Sequence, residues 1–308
     1  ININSESING FIKGDMYNLL NRVKESILSS LYNNKDFKSL NSNTKTVFKF
    51  DLDDDLISIL YPDFNFGKNT LISGEIDNNI YDFKLNVLSS NIKLNQYLAS
   101  SVYISIDNSL KSNNFIFKAN NVTFNDKNLQ RIKLNKSSRD DSSLLEMEVL
   151  TKENDTLQTE IIYSVKNDVI NFDVNNSKLN YKNNPWSVVI DSTANFDIKN
   201  QFLNINKLSL LGVNEKIEID LNYNYHSINF LKLSFDNVSI ENLPFNTYNF
   251  SGKLDGDFIF DQNSNNESSL YFNDLTLDQY KLGSLDLNIN YIHKQNELKF
   301  KSFLKNNS

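Results

Sequence analysis

Along most of this chain every second residue is apolar and the residues between are Asn, Asp, Lys, Ser or Thr. That is the period-two signature of strands with one buried face. It is clear at Phe48, Phe50 and Leu52, at Phe115, Phe117 and Ala119, at Leu203 and Ile205 followed by Leu208 and Leu210, and at Ile217, Ile219, Leu221 and Tyr223. It continues through Leu233 and Phe235, Phe258 and Phe260, Leu270 and Phe272, Leu275 and Leu277, then Leu285, Leu287, Ile289 and Tyr291. Strands recur roughly every ten residues, separated by turn clusters such as Asn78-Asn79, Asn113-Asn114, Lys182-Asn183-Asn184-Pro185 and Gln262 to Asn266, a rhythm that predicts antiparallel hairpins and meanders.

Two stretches break the rhythm. From Asp15 to Asn33 the apolar residues Met16, Leu19, Leu20, Val23, Ile27, Leu28 and Leu31 fall three or four apart, which predicts an amphipathic helix over 15–33 with Asp15 as its N-cap. A shorter helix is expected over 53–60, with Asp54 and Asp55 at its start and Pro62 beyond its end. Three of the eight glycines, Gly252, Gly256 and Gly283, interrupt strand-like segments and are expected to mark bulges or bends.

One face of so many strands is apolar, and two short helices cannot cover it. That face must close on itself as a sandwich or barrel, form a long trough, or be covered by something other than this chain. Strongly twisted open sheets seldom exceed about ten strands without curling. The sequence therefore predicts a mainly β protein: a long curved antiparallel β-sheet trough over 1–308, with one amphipathic helix near its N-terminus.

Composition narrows the function. Lys and Arg number 31 against 38 for Asp and Glu, giving a net charge of −7 and no concentrated basic face, so nucleic acid is a poor partner. Cys is absent, which removes disulfides, thiolate metal sites and thiol nucleophiles. No run approaches the roughly 20 apolar residues of a membrane-spanning helix, and residues 1–10 lack the features of a signal peptide. We expect a piece of a longer protein whose targeting segment lies upstream.

Chemistry-bearing residues are sparse. His226 and His293 stand alone, without a carboxylate pattern to orient them, and are read as surface histidines. Asp51, Asp53, Asp54 and Asp55 lack the Gly and distal Glu of a calcium loop and read as a helix start. Asp255, Asp257 and Asp261 alternate along a strand and read as a solvated face rather than a carboxylate pair for glycoside cleavage. No nucleophile elbow, P-loop or dinucleotide fingerprint is present. The single Trp186 is expected in the core. The chain thus reads as a non-enzyme that calls for no cofactor.

The order of the pieces carries a resemblance. A strand ending near Gly10 leads into the 15–33 segment, then Phe48-Lys49-Phe50-Asp51-Leu52, the segment ending Leu60-Tyr61-Pro62, and Leu71-Ile72-Ser73-Gly74. Long meandering strands follow, with Asn184-Pro185-Trp186-Ser187-Val188, then the unit Phe250-Ser251-Gly252-Lys253-Leu254-Asp255-Gly256-Asp257 and the unit Asn273-Asp274-Leu275-Thr276-Leu277 to Leu282-Gly283-Ser284-Leu285. This resembles the middle β-rich region of TamB, the translocation and assembly module family within the wider AsmA-like group. The family's N-terminal membrane anchor and Gly-rich C-terminal domain have no counterpart here.

The resemblance implies an apolar-lined trough that spans the periplasm and carries phospholipid between the two membranes of a diderm envelope, or serves outer-membrane assembly. Its partners would be phospholipid acyl chains and an outer-membrane barrel protein, the latter met through regions outside this chain. The expected groove lining is Phe115, Phe117, Leu208, Leu210, Ile217, Ile219, Leu221, Phe258, Phe260, Leu285, Leu287 and Ile289, and the helix over 15–33 is expected to cap one end through Leu20, Val23, Ile27 and Leu31. A rival expectation is a secreted or surface β-sandwich for adhesion or glycan binding, with a dry core and with Tyr103, Tyr223 and Tyr291 exposed as stacking surfaces.

Overall fold

The computed structural model describes residues 2–4, 8–14, 45–52, 64–77, 82–95, 97–108, 113–124, 127–139, 141–191, 194–225, 227–243, 249–278, 280–295 and 297–305. They form a mainly β protein with 21 strands in one antiparallel sheet. The helices expected over 15–33 and 53–60, with the capping residues Leu20, Val23, Ile27 and Leu31, lie outside the described residues. The chain divides into two compact units, residues 1–164 and 165–308.

Unit 1 contains β1 (Asn2–Asn4), β2 (Ile8–Lys13), β3 (Lys45–Leu52), β4 (Phe64–Phe66), β5 (Thr70–Asp77), β6 (Asp82–Leu94), β7 (Tyr97–Asn108), β8 (Asn113–Phe124), β9 (Lys127–Arg139), β10 (Ser142–Thr151) and all but the last two residues of β11 (Thr156–Lys166). β1 pairs with β2, β2 with β3 and β3 with β5, and β5 to β11 again pair in sequence, while β4 pairs with β6. Directly opposed residues project to the same side of a sheet, so the register sorts the faces. Phe48 opposes Ile12 and Gly74, Gly74 opposes Leu85, Leu85 opposes Ile106 and Ile106 opposes Phe115. A parallel row runs Phe50, Ile72, Val87, Ile104, Phe117, Leu134 and Met147. The residues between, Lys49, Ser73, Asn86 and Ser105, form the polar face. Gly74 is demanded by the first row: a Cβ there would stand 2.3 Å from the Phe48 ring and 2.8 Å from the Lys84 carbonyl oxygen.

Unit 2 contains β12 (Val169–Tyr181), β13 (Asn184–Ile190), β14 (Ala194–Asp197), β15 (Phe202–Leu211), β16 (Lys216–Asn224), β17 (Ser227–Ser239), β18 (Phe250–Asp261), β19 (Asn266–Leu277), β20 (Tyr280–Ile292) and β21 (Glu297–Lys305). The short β13 and β14 share one position in the sheet, both pairing with β12 on one side and β15 on the other; from β15 onward each strand pairs with the next. Lys182 and Asn183, at φ 49° and 64°, make the two-residue turn between β12 and β13 that their sequence predicts.

The strands do not keep one phase of alternation from end to end. Ser101, Asn121, Asn176, Lys207, Asn237 and Asp274 lie inside strands with φ between 46° and 54°. Such left-handed residues fit β-bulges, which add a residue, bend the strand and reset its alternation. The pairing registers shift beside Ser101, Asn121, Lys207, Asn237 and Asp274. This explains why Ile205 is followed in phase by Leu208 rather than residue 207, and why so many of these positions are Asn or Asp, the non-glycine residues that best tolerate this backbone. Two bulges are fastened across the sheet: the Lys207 N–H donates to Asp220 Oδ1 (2.7 Å) and the Asn237 N–H to Asp255 Oδ1 (2.7 Å). The glycines behave as expected at Gly252 and Gly283, with φ 137° and 93° beside register shifts.

One turn expectation is corrected. Asn113 and Asn114 are not a turn but the start of β8, opposite Asn108 and Asp107. Their side chains are polar, yet the backbone ladder continues through them.

Candidate functional site

In unit 2 the register brings the expected lining residues onto one face. Leu210 opposes Ile217, Ile217 opposes Phe235, and Phe235 opposes Gly256; Gly256 then opposes Leu270, which opposes Leu287. Beside this row Leu208 opposes Ile219, Ile219 opposes Leu233, and Leu233 opposes Phe258. A third row links Leu221, Leu231 and Phe260. On β20, Leu285 and Ile289 project with Leu287 and face Leu304 and Phe300 of β21. All of these positions are half-buried except Ile289, which is 7% exposed, and the β21 residues, where Phe300 is 64% exposed and Leu304 60%. The polar face behind carries Glu218, which opposes Ser209 and Ser234, and Asp220, which opposes Lys232. There Lys207 lies 3.0 Å from Asp191 and Lys216 lies 2.8 Å from Glu218. The hydrogen bond from Lys216 holds the Glu218 carboxyl below its usual range, and that to Asp191 raises Lys207.

The apolar face of unit 2 has two unlike ends. At one end Trp186 is 5% exposed and packs with Val238, Ile240, Leu243, Leu254 and Leu275, all buried. Ile240 belongs to the 3₁₀ turn Ile240–Asn242, which follows β17 and folds over this end. Its backbone and side chains are tied down: Lys182 Nζ donates to the Glu241 carbonyl (2.8 Å), Asn184 Nδ2 to Asn242 Oδ1 (2.7 Å), and Lys253 Nζ to Ser239 Oγ (2.6 Å). At the opposite strand ends a cavity of about 530 Å³ opens between Ile228, Phe260 and Tyr291 on one hand and Ser227, Gln262 and His293 on the other. The Phe260 and Tyr291 rings sit 5.0 Å apart, centroid to centroid.

Unit 1 finishes its apolar face differently. Ile12, Phe48, Ile76, Phe83, Leu85, Val87 and Ile106 form a buried cluster, with Phe83 and Ile106 only 2% exposed. Phe115 and Phe117 are on this face, half-buried, opposite Lys136 and Leu134. Toward one end lies a cavity of about 290 Å³ lined, among the described residues, by aliphatic and aromatic side chains including Phe66, Val87, Ile92, Leu94, Ile104 and Phe117. The other end is polar. Asn108 opposes Asn113, and Ser143 opposes both Ser138 and Tyr163. Lys136, 1% exposed, reaches the Asn113 carbonyl and Ser138 Oγ at 3.4 Å each. Burial pulls the Lys136 amine down to about 8 and pushes the Tyr163 phenol up, the latter against a hydrogen bond with Ser143.

The twelve expected lining residues therefore lie on apolar faces: those from Leu208 to Ile289 come together in unit 2, and Phe115 and Phe117 lie in unit 1. Trp186 is in the core, as a lone Trp predicts. The expectation that Tyr291 is exposed is corrected: it is 7% exposed because its ring is packed on Phe260 and faces the apolar side. Tyr223 is 37% exposed, and Tyr103 is half-buried with Lys118 Nζ 5.9 Å from its ring centre. Asp255 caps the Asn237 bulge and also accepts from Asn273 Nδ2 (3.2 Å), a structural use of that carboxylate. His293 is exposed and His226 lies outside the described residues. Among the described residues no three His, Asp or Glu side chains converge as a metal site, and no helix is long and apolar enough to cross a membrane.

The sequence reading missed the buried Lys136 and the 3₁₀ turn over Trp186. Lys136 follows Leu134 in strict alternation, a signal that placed it on the apolar face; Ile240 and Leu243 continue the β17 apolar run past the Asn237 phase shift. No family model, curated protein or solved structure matches the chain.

Proposed function

We propose that this chain is a segment of a periplasm-spanning envelope protein of the TamB and AsmA-like kind, in which a long antiparallel sheet curves into a trough that carries phospholipid between the inner and outer membranes or supports outer-membrane assembly. In this reading the protein is anchored in the inner membrane by a segment outside this chain, and it meets an outer-membrane barrel partner through other regions outside it. The helix over 15–33 caps one end of the trough. No catalytic residue or cofactor is required.

One observation carries the reading: in unit 2, apolar residues of successive strands stand in register on one face and remain half-buried. Adjacent strands are about 4.8 Å apart, so hydrocarbon leaving one strand meets the next within a few bond lengths. Each methylene kept out of water is worth about 0.8 kcal/mol, so an acyl chain crossing water unaided would lose on the order of 10 kcal/mol. Apolar burial is non-directional; successive positions are therefore close in energy and a chain can slide. The rival β-sandwich calls for dry faces throughout and exposed stacking tyrosines. The half-buried face of unit 2 and the burial of Tyr291 both weigh against it.

The test is native mass spectrometry of lipid retained by the wild type, by Ile219→Asp on the apolar face and by Asn204→Asp on the polar face. We expect Ile219→Asp to lose most of the bound phospholipid and Asn204→Asp to keep it. Equal lipid content in all three, with circular dichroism showing intact β structure, overturns the proposal.

A further inference from the structure

The two ends of the unit 2 face are unlike in a way that matches an amphiphile. One is shut by Trp186, Ile240, Leu243 and Leu254, a wall of buried apolar side chains. The other opens into the 530 Å³ cavity, whose lining joins Ile228, Phe260 and Tyr291 to a polar edge of Ser227, Gln262 and His293. That volume is in the range of small-molecule sites, where a mostly apolar lining is joined by a few polar groups that fix orientation. The rim groups are a hydroxyl, an amide and an imidazole. Each donates and accepts hydrogen bonds, and among the described residues no Lys, Arg, Asp or Glu lines the cavity.

We infer that this cavity is a headgroup site, and that unit 2 holds a phospholipid in one direction, with a zwitterionic headgroup at Ser227, Gln262 and His293 and the acyl chains running toward Trp186. The inference rests on the lipid reading above and adds the site, the headgroup class and the orientation. Length agrees. From Tyr291 to Leu285 is six residues of strand, about 20 Å, while one leaflet of a bilayer's hydrocarbon core is about 15 Å deep. An acyl chain therefore fits between mouth and wall along the strands. Reversing the molecule would put hydrocarbon ends at the polar rim and press a polar headgroup into the apolar wall, where its hydrogen bonds would go unmade.

Trp186 is the only tryptophan in the chain, and it belongs to the buried cluster at the closed end, against which Leu270 and Leu285 pack. The test is quenching of its fluorescence by phosphatidylethanolamine brominated either at the chain ends or at the carbons next to the glycerol, with bound lipid verified on the same samples by native mass spectrometry. We expect chain-end bromine to quench at least twofold more strongly. Equal or reversed quenching by bound lipid overturns the orientation while leaving the lipid reading intact; absence of bound lipid overturns the lipid reading itself. The double variant Gln262→Leu with His293→Leu is expected to weaken phosphatidylethanolamine binding several-fold and to leave binding of hexadecane unchanged. If phosphatidylethanolamine binding is unchanged while the Trp186 emission shows a native fold, the headgroup site is refuted.

Discussion

In unit 1 the Phe48, Leu85 and Ile106 side chains of one row are no more than 7% exposed, whereas in unit 2 the row through Ile219, Leu233 and Phe258 remains half-buried. The two rows have the same chemistry and arise from the same cross-strand register. Their ends differ as well: unit 1 places a lysine and a row of amides and hydroxyls at one margin, while unit 2 places a tryptophan wall at one end and a polar-rimmed cavity at the other. Alternation decides which face is apolar. It does not decide how far that face is withdrawn from water.

The contrast is broken most forcefully by truncating matched residues. Leu85→Ala in unit 1 removes a side chain that is 7% exposed and should cost about 2–5 kcal/mol; Leu233→Ala in unit 2 should cost less, since more of that side chain is already in water. Urea unfolding of the two variants measures this, and equal costs would erase the distinction between the faces.

Lys136 sharpens it next. Its amine titrates near 8 in the folded protein against an ordinary value of 10.5, so the native state gives up the proton before the unfolded chain does. The resulting penalty, on the order of 3 kcal/mol, is complete below pH 8 and disappears as pH rises to about 10.5. Lys136→Met should therefore be more stable than wild type at pH 7 by about 1–3 kcal/mol, with the gap narrowing between pH 8 and 10.5. Thermal melts across that range report it, and a gap independent of pH would mean that Lys136 is solvated.

The bulges give smaller effects in both units. Asp220→Ala and Asp255→Ala strand the amides of Lys207 and Asn237 and should each cost about 1–2 kcal/mol. At Asp274, with φ 50°, alanine should cost about 1 kcal/mol and glycine only a few tenths. Identical melting temperatures for the alanine and glycine variants would argue against a left-handed residue there.

Much of this arrangement is legible in the sequence. Ile217, Ile219 and Leu221 alternate without interruption, and their strand, β16, keeps a single phase as far as Leu221 in its pairing with β17. The Lys182-Asn183 turn is legible too, since that hairpin connection needs two left-handed residues. The mid-strand bulges are harder to read. Asn120-Asn121 and Asn273-Asp274 resemble loop punctuation, and only the resumption of alternation one residue out of phase, as at Ala119 and Val122, separates a bulge from a turn. Asn113-Asn114 fails for the same reason in reverse. Lys136 was hidden because a lysine in an alternating run is assigned to solvent by habit, although its phase with Leu134 says otherwise. The closure over Trp186 depends on Asn184, Asn242 and Lys253, which are far apart in sequence and meet only through the sheet register.

The chain contains no cysteine, so a single nitroxide label at Leu221→Cys reports on the unit 2 face directly, with Ile106→Cys as its counterpart in unit 1. Accessibility to oxygen and to a water-soluble nickel chelate is measured with and without phospholipid vesicles. Hydrocarbon completing the face predicts that lipid makes the label at residue 221 accessible to oxygen and shields it from nickel, while the label at residue 106 is shielded from both throughout. A label at residue 221 that is equally shielded from both with no lipid present would mean that protein already seals the face, contradicting its role as a lipid surface.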